Sequence, residues 1–294
     1  MLLVLPYETP TFLPFYVARG RGLFADHGLR VDFLYSLSGG PEGGKKQKVD
    51  LALNGDIAMF TSVSTSIEAT LRGWGDVVAV AASATRPFFL LVRDGIEQLD
   101  DLRGKRVMTG GGASRNEMLH LARTRGWEVG SDLELVRGDA MDRQRAFEDP
   151  DIAGVAGRTH YLGWAERHGF RPLRYVDGTT WFEGGIAVTR DVLVSRRDEL
   201  TRVVLCLEEA TAYIKDPANR EACAATLVDY VKLMTLDDAL TAYDAHAAHY
   251  GTTLDEAGMR YMAEVLAIAK GVPADTWNGS HLDTSVIVEA RALL

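Results

Sequence analysis

The sequence predicts an α/β protein with two lobes and a helical tail. In two successive blocks, short runs rich in β-branched and aromatic residues alternate with stretches of helical periodicity. From residue 198 onward the pattern is helical only, because Val203, Leu207, Ala210 and Ile214 follow one another at spacings of three or four residues. Alternation of strands and helices implies right-handed crossovers, and therefore a mostly parallel sheet with helices on its faces in each lobe.

The first block begins with a short apolar strand and continues through helices that proline and glycine delimit. Pro14 is a favourable residue in the first turn of a helix, and Gly28 follows the end of that helix. A glycine-rich turn at residues 39–44 precedes the next helix. Predicted strands cover residues 2–5, 29–35, 57–60, 77–82 and 88–93, and predicted helices cover residues 14–26, 45–54 and the stretch that ends near residue 72.

The second block repeats the alternation after a short helical turn at residues 99–103. An apolar run at residues 184–188 then predicts a strand that returns to the first sheet. Predicted strands of this block cover residues 106–109, 133–136, 152–156 and 173–176, and predicted helices cover residues 114–125, 142–147 and 161–168.

We expect one lobe to be split around the other, because the chain crosses between the blocks near residues 93–98 and again near residues 184–189. Lobe one then comprises residues 1–94 and 188–294, with the helical tail packed on it, and lobe two comprises residues 95–187. Open α/β sheets bind ligands at the carboxyl ends of their strands, so a cleft between the lobes is the expected ligand site.

The composition predicts a soluble protein whose ligand is a small molecule. Of 294 residues, 47% are hydrophobic, and 32 basic against 41 acidic residues give a net charge of −9. An acidic chain lacks the basic surface that nucleic acid or an anionic membrane requires. Two cysteines cannot form a disulfide framework, and no apolar run approaches the roughly 20 residues that span a bilayer. A small-molecule binder or an enzyme remains.

The amino terminus has no recognisable secretion signal. Residues 1–5 are apolar, but no basic segment precedes them and no small-residue cleavage site follows. We therefore expect a cytoplasmic protein from the sequence as it stands, and a periplasmic or extracellular protein if a signal was removed before Met1.

Four motifs in order resemble a known family. They are residues 16–31 (YVARGRGLFADHGLRV), 54–58 (NGDIA), 99–107 (LDDLRGKRV) and the helix at 198–214. The family is that of the periplasmic-binding-protein-like proteins, which includes binders of aliphatic sulfonates, taurine, nitrate and thiamine pyrimidines. The resemblance covers nearly the whole chain, and it implies the type II two-lobe fold with a hinged cleft.

The resemblance leaves two functions open. Most members of the family are transport receptors, and a minority are cytosolic enzymes, among them a fungal-type pyrimidine synthase and a sulfinate desulfinase. The synthase carries a cysteine-rich cluster and the desulfinase a cysteine nucleophile. Here Cys206 and Cys223 both fall on predicted tail helices, and we expect both to be buried free thiols.

A glycine-rich turn, TGGGASRNE at residues 109–117, is the strongest local signal for ligand binding. Ser114 and Glu117 fit a capping box, and the glycines let the backbone come close to a ligand. N–H groups at a helix start favour a carboxylate, sulfonate or phosphate, and the alternative is a plain tight turn. The candidate ligand contacts in this turn are Thr109, Gly111, Ser114 and Arg115.

Loops of lobe one mix hydroxyl groups with aromatic rings, which is the usual lining of a small-molecule pocket. One loop follows the first strand, one follows the third, and the turn after the second strand is a weaker candidate. The alternative for the hydroxyl groups is ordinary capping of the next helix. The candidate contacts are Tyr7, Thr9 and Phe12 in the first loop, Phe60 and Thr61 in the second, and Ser38 in the third.

Three basic side chains follow predicted strand ends, namely Arg86 in lobe one and Arg158 and His160 in lobe two. A guanidinium group there can hold an acidic ligand through two hydrogen bonds. Histidine can hydrogen-bond a ligand or move a proton near neutral pH. The alternative for both arginines is an ion pair at the surface or between the lobes.

Trp181 and Glu183 lie beside the predicted return to lobe one. The ring can stack on a flat ligand, and the carboxylate can accept its donors or serve as a base. The alternative is a hinge packed by aromatic side chains. We expect no metal and no cofactor, because His246 and His249 fit a solvated helix face and no zinc-binding spacing occurs.

We therefore weigh a binding protein against an enzyme. In the first hypothesis, two lobes close on a small anionic or heteroaromatic ligand and deliver it to a membrane ABC permease. In the second, a cytosolic lyase, decarboxylase or pyrimidine-synthase-like enzyme uses the cleft, with Arg158, His160 and Glu183 as the candidate catalytic residues. The sequence contains no nucleophile with a local base, which favours the first.

Native mass spectrometry of the purified protein distinguishes the two hypotheses. A receptor should co-purify with a small molecule whose mass stays constant on incubation. An enzyme should convert that molecule, and its His160→Ala variant should retain the molecule without converting it. Conversion that continues at the wild-type rate in the variant would remove His160 from any mechanism.

Overall fold

Two five-stranded sheets form the framework of the chain in a computed structural model. The chain divides into two compact units with one sheet each: unit 1 comprises residues 1–86, 180–264 and 274–294, and unit 2 comprises residues 87–179 and 265–273. The residues that the structure describes are 2–5, 9–35, 40–86, 89–110, 112–138, 140–156, 161–174, 181–231 and 234–294.

The strands of the unit 1 sheet are β1 (Leu2–Leu5), β2 (Asp32–Tyr35), β3 (Met59–Phe60), β4 (Val77–Arg86) and β10 (Trp181–Thr189). Their order in the sheet is β2-β1-β3-β10-β4. β1 is parallel to β2 and β3, whereas β10 is antiparallel to both β3 and β4. The carboxyl ends of β1 to β4 and the start of β10 therefore share one edge, which we call the carboxyl edge of unit 1.

Helices surround this sheet and form the tail. Within unit 1, α13 packs against α9 and β4, and the Arg197 guanidinium of α9 lies 2.7 Å from the Glu289 carboxylate of α13. The helices are α1 (Leu13–Gly20), α2 (Leu23–Asp26), α3 (Gly40–Leu53), α4 (Val63–Arg72), α8 (Arg190–Ser195), α9 (Arg197–Lys215), α10 (Arg220–Tyr230), α11 (Leu236–His246), α12 (Glu256–Lys270), whose last turns belong to unit 2, and α13 (Ser285–Arg291).

The elements of unit 2 are β5 (Phe89–Arg93), β6 (Lys105–Thr109), α5 (Ala113–Thr124), β7 (Leu133–Arg137), α6 (Ala140–Arg145), β8 (Ile152–Ala156), α7 (Leu162–Arg167) and β9 (Phe170–Arg174). The strand order is β7-β6-β8-β5-β9. β6 is parallel to β7 and β8, and β5 runs antiparallel to β8 and β9. The carboxyl ends of β6, β7, β8 and β9 therefore share the carboxyl edge of unit 2.

Side chains alternate between the two faces of the unit 2 sheet, and both faces are buried. On β5, Leu90 and Val92 pack in one cluster with Met118 of α5, whereas Leu91 packs in another with Phe147. Successive residues of a strand point to opposite faces, so continuous apolar runs such as β5 indicate a sheet covered on both sides.

The α/β class, the two alternating blocks and the helical tail are as the sequence predicts, and several details differ. The turn predicted at residues 39–44 is wrong, because α3 already begins at Gly40. β2 begins at Asp32 rather than at residue 29, and β9 covers Phe170–Arg174 rather than residues 173–176. The helix predicted over residues 14–26 is broken into α1 and α2 at Gly22, whose φ of 78° lies in the left-handed region. Among the described strands, β5 and β10 run against their neighbours. β4 extends to Arg86 and β10 begins at Trp181, because the two strands pair along their whole length.

No helix among the described residues combines the length and the apolar character that a membrane crossing requires.

A Gly185→Ala substitution should destabilise the fold by about 2–4 kcal/mol, because two costs coincide at this position. Its φ is +153°, and an added Cβ would lie 2.3 Å from the Ala81 carbonyl oxygen of β4. Urea unfolding measures the loss. Gly251→Ala is the matched control, because a Cβ there meets no atom within 4 Å. Equal stabilities of the two variants would contradict the close approach of β10 to β4.

Candidate functional site

Candidate residues from separate parts of lobe one converge on the carboxyl edge of unit 1. Thr61 follows β3 directly, Arg86 ends β4, and Trp181 begins β10 in register with Arg86. Phe12 ends the short 3-10 helix Pro10–Phe12 that follows β1, and Thr9 is the N-cap residue of that helix. The topology of the sheet therefore gathers these side chains at one edge, as expected for strands that run in the same direction.

The aromatic side chains at this edge are packed rather than exposed. Phe12, Phe60 and Trp181 are each at most 2% exposed. The indole of Trp181 meets the Tyr261 ring edge to face at 6.5 Å between centroids, and the Arg86 guanidinium carbon lies 5.9 Å from the indole centroid. Stacking of Trp181 on a flat ligand stays a prediction.

The amino terminus of α4 carries hydroxyl groups but no side-chain cap. Ser62 occupies the N-cap position with extended backbone, and its side chain makes no capping hydrogen bond. Its Oγ accepts a hydrogen bond of 2.7 Å from Thr65 Oγ1 instead. Ordinary capping of α4 by Ser62, the alternative left open by the sequence, is therefore wrong. The buried Thr61 stands just before this helix start.

His246, on α11, lies buried behind the same edge, so the expectation that it belongs to a solvated helix face is wrong. Its Nε2–H donates to the Thr85 carbonyl oxygen at 3.1 Å, and no solvent reaches the side chain. Burial lowers the pKa of His246 to about 4, although the negative charge of Glu183 on β10 opposes this shift. The imidazole is therefore uncharged at neutral pH.

Tyr250 ties the first loop of unit 1 to the tail, a link that the sequence did not predict. Its ring stacks on His246 with centroids 4.8 Å apart, and its Oη donates to the Pro10 carbonyl oxygen at 2.7 Å. Burial raises the pKa of Tyr250, and the negative charge of Glu183 raises that pKa further, so the hydroxyl stays protonated. The 3-10 helix Pro10–Phe12, which Thr9 precedes, is thus held by the tail.

The glycine-rich turn of unit 2 lies at the carboxyl end of β6, as predicted, but its capping differs. Gly112 with a φ of 71° is the N-cap of α5, and it offers no side-chain acceptor to the first N–H groups of the helix. Ser114 therefore lies inside α5, and its Oγ accepts a 3.1 Å hydrogen bond from the Gly110 N–H. The predicted capping box is wrong, because the N-cap residue is Gly112, two residues before Ser114. Thr109 is fully buried and donates to the Val136 carbonyl oxygen.

Arg143 of α6 is a residue at this turn that sequence reasoning missed. A Cβ added to Gly110 would lie 2.9 Å from Arg143 Nη1 and 3.4 Å from Ser114 Oγ. The guanidinium and the hydroxyl therefore flank one position beside the turn. The Arg143 guanidinium carbon also lies 5.4 Å from the centre of the Tyr161 ring. The sequence signal for this pair is weak: a glycine directly after β6 and an arginine in the helix that follows β7.

Asn116 adds a donor to the same helix start. It lies one turn after Gly112 on the same face of α5, and helical side chains point toward the amino terminus. The side chain is 6% exposed, and its Nδ2 has no acceptor among the described residues. A buried donor of this kind is costly unless a ligand or water completes its hydrogen bonds.

Arg115, by contrast, turns toward β7. Its Nη1 donates to the Leu135 carbonyl oxygen at 3.3 Å. Arg115 therefore helps to hold the start of α5 to the sheet. Ligand contact by Arg115 stays a prediction.

Five predicted ligand contacts fall outside the described residues, namely Tyr7, Ser38, Gly111, Arg158 and His160. Their roles stay predictions.

The described residues carry no reactive thiol and no group of metal-binding side chains. Cys206 and Cys223 are buried free thiols, as predicted. Burial raises the pKa of Cys206 to about 12 and that of Cys223 to about 11, so neither is a thiolate at neutral pH. No cluster of three or more histidine, cysteine or acidic side chains could hold a metal ion in the described part of the chain.

Comparison with known proteins gives one family. The model of the family described as "NMT1/THI5 like" matches residues 9–219. No curated protein matches the sequence.

Similar solved structures are binding proteins with low sequence identity. The alkanesulfonate-binding protein SsuA from Xanthomonas axonopodis pv. citri, bound to MOPS, is 15% identical, with 96% of this chain and 98% of that chain covered and a TM-score of 0.73. The periplasmic nitrate-binding protein NrtA from Synechocystis PCC 6803 is 12% identical, with 100% of this chain and 88% of that chain covered and a TM-score of 0.69. A ligand-binding component of an ABC-type import system from Staphylococcus aureus is 13% identical, with 98% of this chain and 97% of that chain covered and a TM-score of 0.71. These likenesses establish the fold.

A Tyr250→Phe substitution should cost about 1 kcal/mol of stability, because one of the two hydrogen bonds to the buried Pro10 carbonyl is lost, the other coming from the Leu13 N–H, while the stacking ring remains. Urea unfolding at pH 7 measures the loss. Tyr230→Phe is the control: its ring stacks on Tyr16, and its hydroxyl makes no hydrogen bond among the described residues. The control should stay within about 0.5 kcal/mol of wild type. A Tyr250→Phe variant as stable as this control would contradict the link.

Proposed function

The chain belongs to the NMT1/THI5-like family, and on this premise we propose that it is a binding protein for a small organic anion, a sulfonate or a carboxylate. The observation that carries the proposal is the turn of unit 2, where the uncapped start of α5, the Arg143 guanidinium and the Ser114 hydroxyl lie together. Delivery of the ligand to a membrane permease of an ABC importer, from a periplasmic or extracellular location, is part of the same proposal.

The turn suits an anion because several hydrogen-bond donors lie together on it. The N–H groups of the first turn of α5 have no intrahelical partner, and the helix dipole places positive potential at them. The Ser114 Oγ already accepts from Gly110, so its own hydrogen is available to a ligand oxygen. Arginine adds a fixed positive charge and a planar pair of donors that matches carboxylate or sulfonate oxygens.

The net charge of −9 makes local groups decisive. An acidic protein repels anions at long range, and this repulsion is screened beyond about 10 Å at ordinary salt. A ligand held by Arg143 and the start of α5 lies within a few ångströms of these groups. At this distance, direct hydrogen bonds outweigh the repulsion from the net negative charge of the protein.

The structural neighbours support the same ligand class. One is named for alkanesulfonates and contains MOPS, which is itself a sulfonate, and another is named for nitrate. The buried thiols with raised pKa provide no nucleophile for a desulfinase-like reaction. The cleft between the lobes and the contacts of Arg86, Thr61 and Glu183 stay parts of the proposal.

An Arg143→Met variant should bind methanesulfonate at least about tenfold more weakly than wild type, because one charge-assisted interaction is lost. Isothermal titration calorimetry measures the dissociation constant. Arg145→Met is the matched control, since this arginine of the same helix is exposed and lies beside Asp142, and it should bind within about twofold of wild type. Equal affinity of the Arg143→Met variant and wild type would refute the assignment of the turn.

A Gly110→Ala variant provides a second test of ligand binding at the same turn. The added methyl group would occupy the position flanked by Arg143 and Ser114. Affinity for methanesulfonate should fall, whereas thermal stability without ligand should change by less than it does for Gly185→Ala.

A further inference from the structure

Three charged side chains lie buried where α3 packs on α4 in unit 1. Lys45 and Lys48 belong to α3, and Glu68 belongs to α4. The side chains of Lys45 and Glu68 are 14% and 1% exposed, and Lys48 is 5% exposed. Charged groups almost never occupy such positions unless they are paired, so we asked how the charges of this lysine cluster are balanced.

The cluster has more positive than negative charge. The Lys45 ammonium group forms an ion pair with Glu68 Oε2. Among the described residues, no hydrogen bond or ion pair reaches Lys48 Nζ, although an ammonium group has three donors. Two lysines therefore share one carboxylate, and the second lysine has no acceptor.

In the described part of the chain, Lys45 and Glu68 are the titratable groups that act on Lys48. Lys45 comes from its own helix and Glu68 from α4. The strands beneath α3 contribute the apolar residues Phe60 of β3 and Ala187 of β10. The other charged pair of α3, Lys46 with Asp50, is exposed.

Burial lowers the pKa of Lys48 to about 7, the positive charge of Lys45 lowers it as well, and Glu68 opposes both. Near neutral pH, the surplus positive charge is therefore present in only part of the molecules.

We propose that Lys45 and Lys48 bind one small anion in unit 1, which accepts hydrogen bonds from Lys48 Nζ and balances the surplus charge beside Glu68. The occupant is a monovalent anionic group, either a free inorganic ion or the acid group of an organic ligand. The site belongs to unit 1 and shares no residue with the Gly110 turn of unit 2, so it does not depend on the proposed function.

Polar residues lead from the carboxyl edge to this cluster. α3 begins just after β2 ends at that edge, and Lys45 lies in its second turn. On α4, Ser64 lies one turn before Glu68 on the same face, and its Oγ is 3.3 Å from Ser62 Oγ at the uncapped helix start. Hydroxyl groups thus line the helix face by which an anion would reach the lysines.

The pH dependence of this site follows from the charge state of Lys48. The protonated amine attracts an anion and the neutral amine does not, so binding an anion must raise the pKa of Lys48. Affinity should be highest below pH 7 and fall about tenfold between pH 6 and pH 8. Arg143 stays charged throughout this range, so binding at the Gly110 turn should not change with it.

The direct test is a titration of the Lys48 ¹³Cε resonance in lysine-labelled wild-type protein. Sodium chloride represents a free inorganic ion, sodium methanesulfonate an organic acid group, and sodium gluconate keeps the ionic strength constant with a bulky anion. We expect a Lys48 pKa near 7 in gluconate and a pKa at least about one unit higher with chloride or methanesulfonate. A shift with chloride alone assigns an inorganic ion, and a shift with methanesulfonate assigns an organic acid group. An unchanged pKa with both probes would overturn the inference.

Variants separate this site from the proposed ligand site. The part of the stabilisation by the active probe that depends on pH, measured as the rise in melting temperature at pH 6 minus the rise at pH 8, should be lost in Lys48→Met. It should be retained in Lys46→Met, the exposed control, and in Arg143→Met. Retention in Lys48→Met together with loss in Arg143→Met would overturn the inference while leaving the proposed function standing. Lys48→Met should fold, because it replaces a buried charge by an apolar side chain of similar length. The titration of the wild-type protein tests the inference independently of this variant.

Discussion

The return of the chain as β10, between β3 and β4, is the constraint on which unit 1 depends. β10 pairs antiparallel with both neighbours, and it fits only because Gly184 and Gly185 bring no side chain to the crowded contacts with Ser83, Thr11 and Ala81. Without this strand, β4 would have no partner in the sheet. Its position also places the start of β10 at the edge where β1 to β4 end.

This arrangement explains why residues far apart in sequence form one edge. Arg86 and Trp181 meet in register across β4 and β10, and Tyr250 of the tail reaches the 3-10 helix after β1. The aromatic rings of this edge are buried, so they make its framework rigid. Groups that can contact an anion are found instead where helices begin, at α4 in unit 1 and at α5 in unit 2, because helix starts have unsatisfied N–H groups.

Sequence reasoning predicted the class of fold, the order of its elements, and the glycine-rich turn, because periodicity and turn chemistry are local properties. It missed Arg143, His246 and Lys48, because their importance comes from neighbours far along the chain. Arg143 matters through Gly110, His246 through Thr85, and Lys48 through Glu68. Arg115 was chosen because it follows the turn directly, yet the direction of α5 sends it to β7.

A crystal structure of the protein with methanesulfonate tests the central claim most directly. The account predicts sulfonate oxygens at hydrogen-bond distance, about 3 Å, from the Arg143 guanidinium and from N–H groups in the first turn of α5. A sulfonate bound elsewhere, with Arg143 and the start of α5 unoccupied, would contradict it.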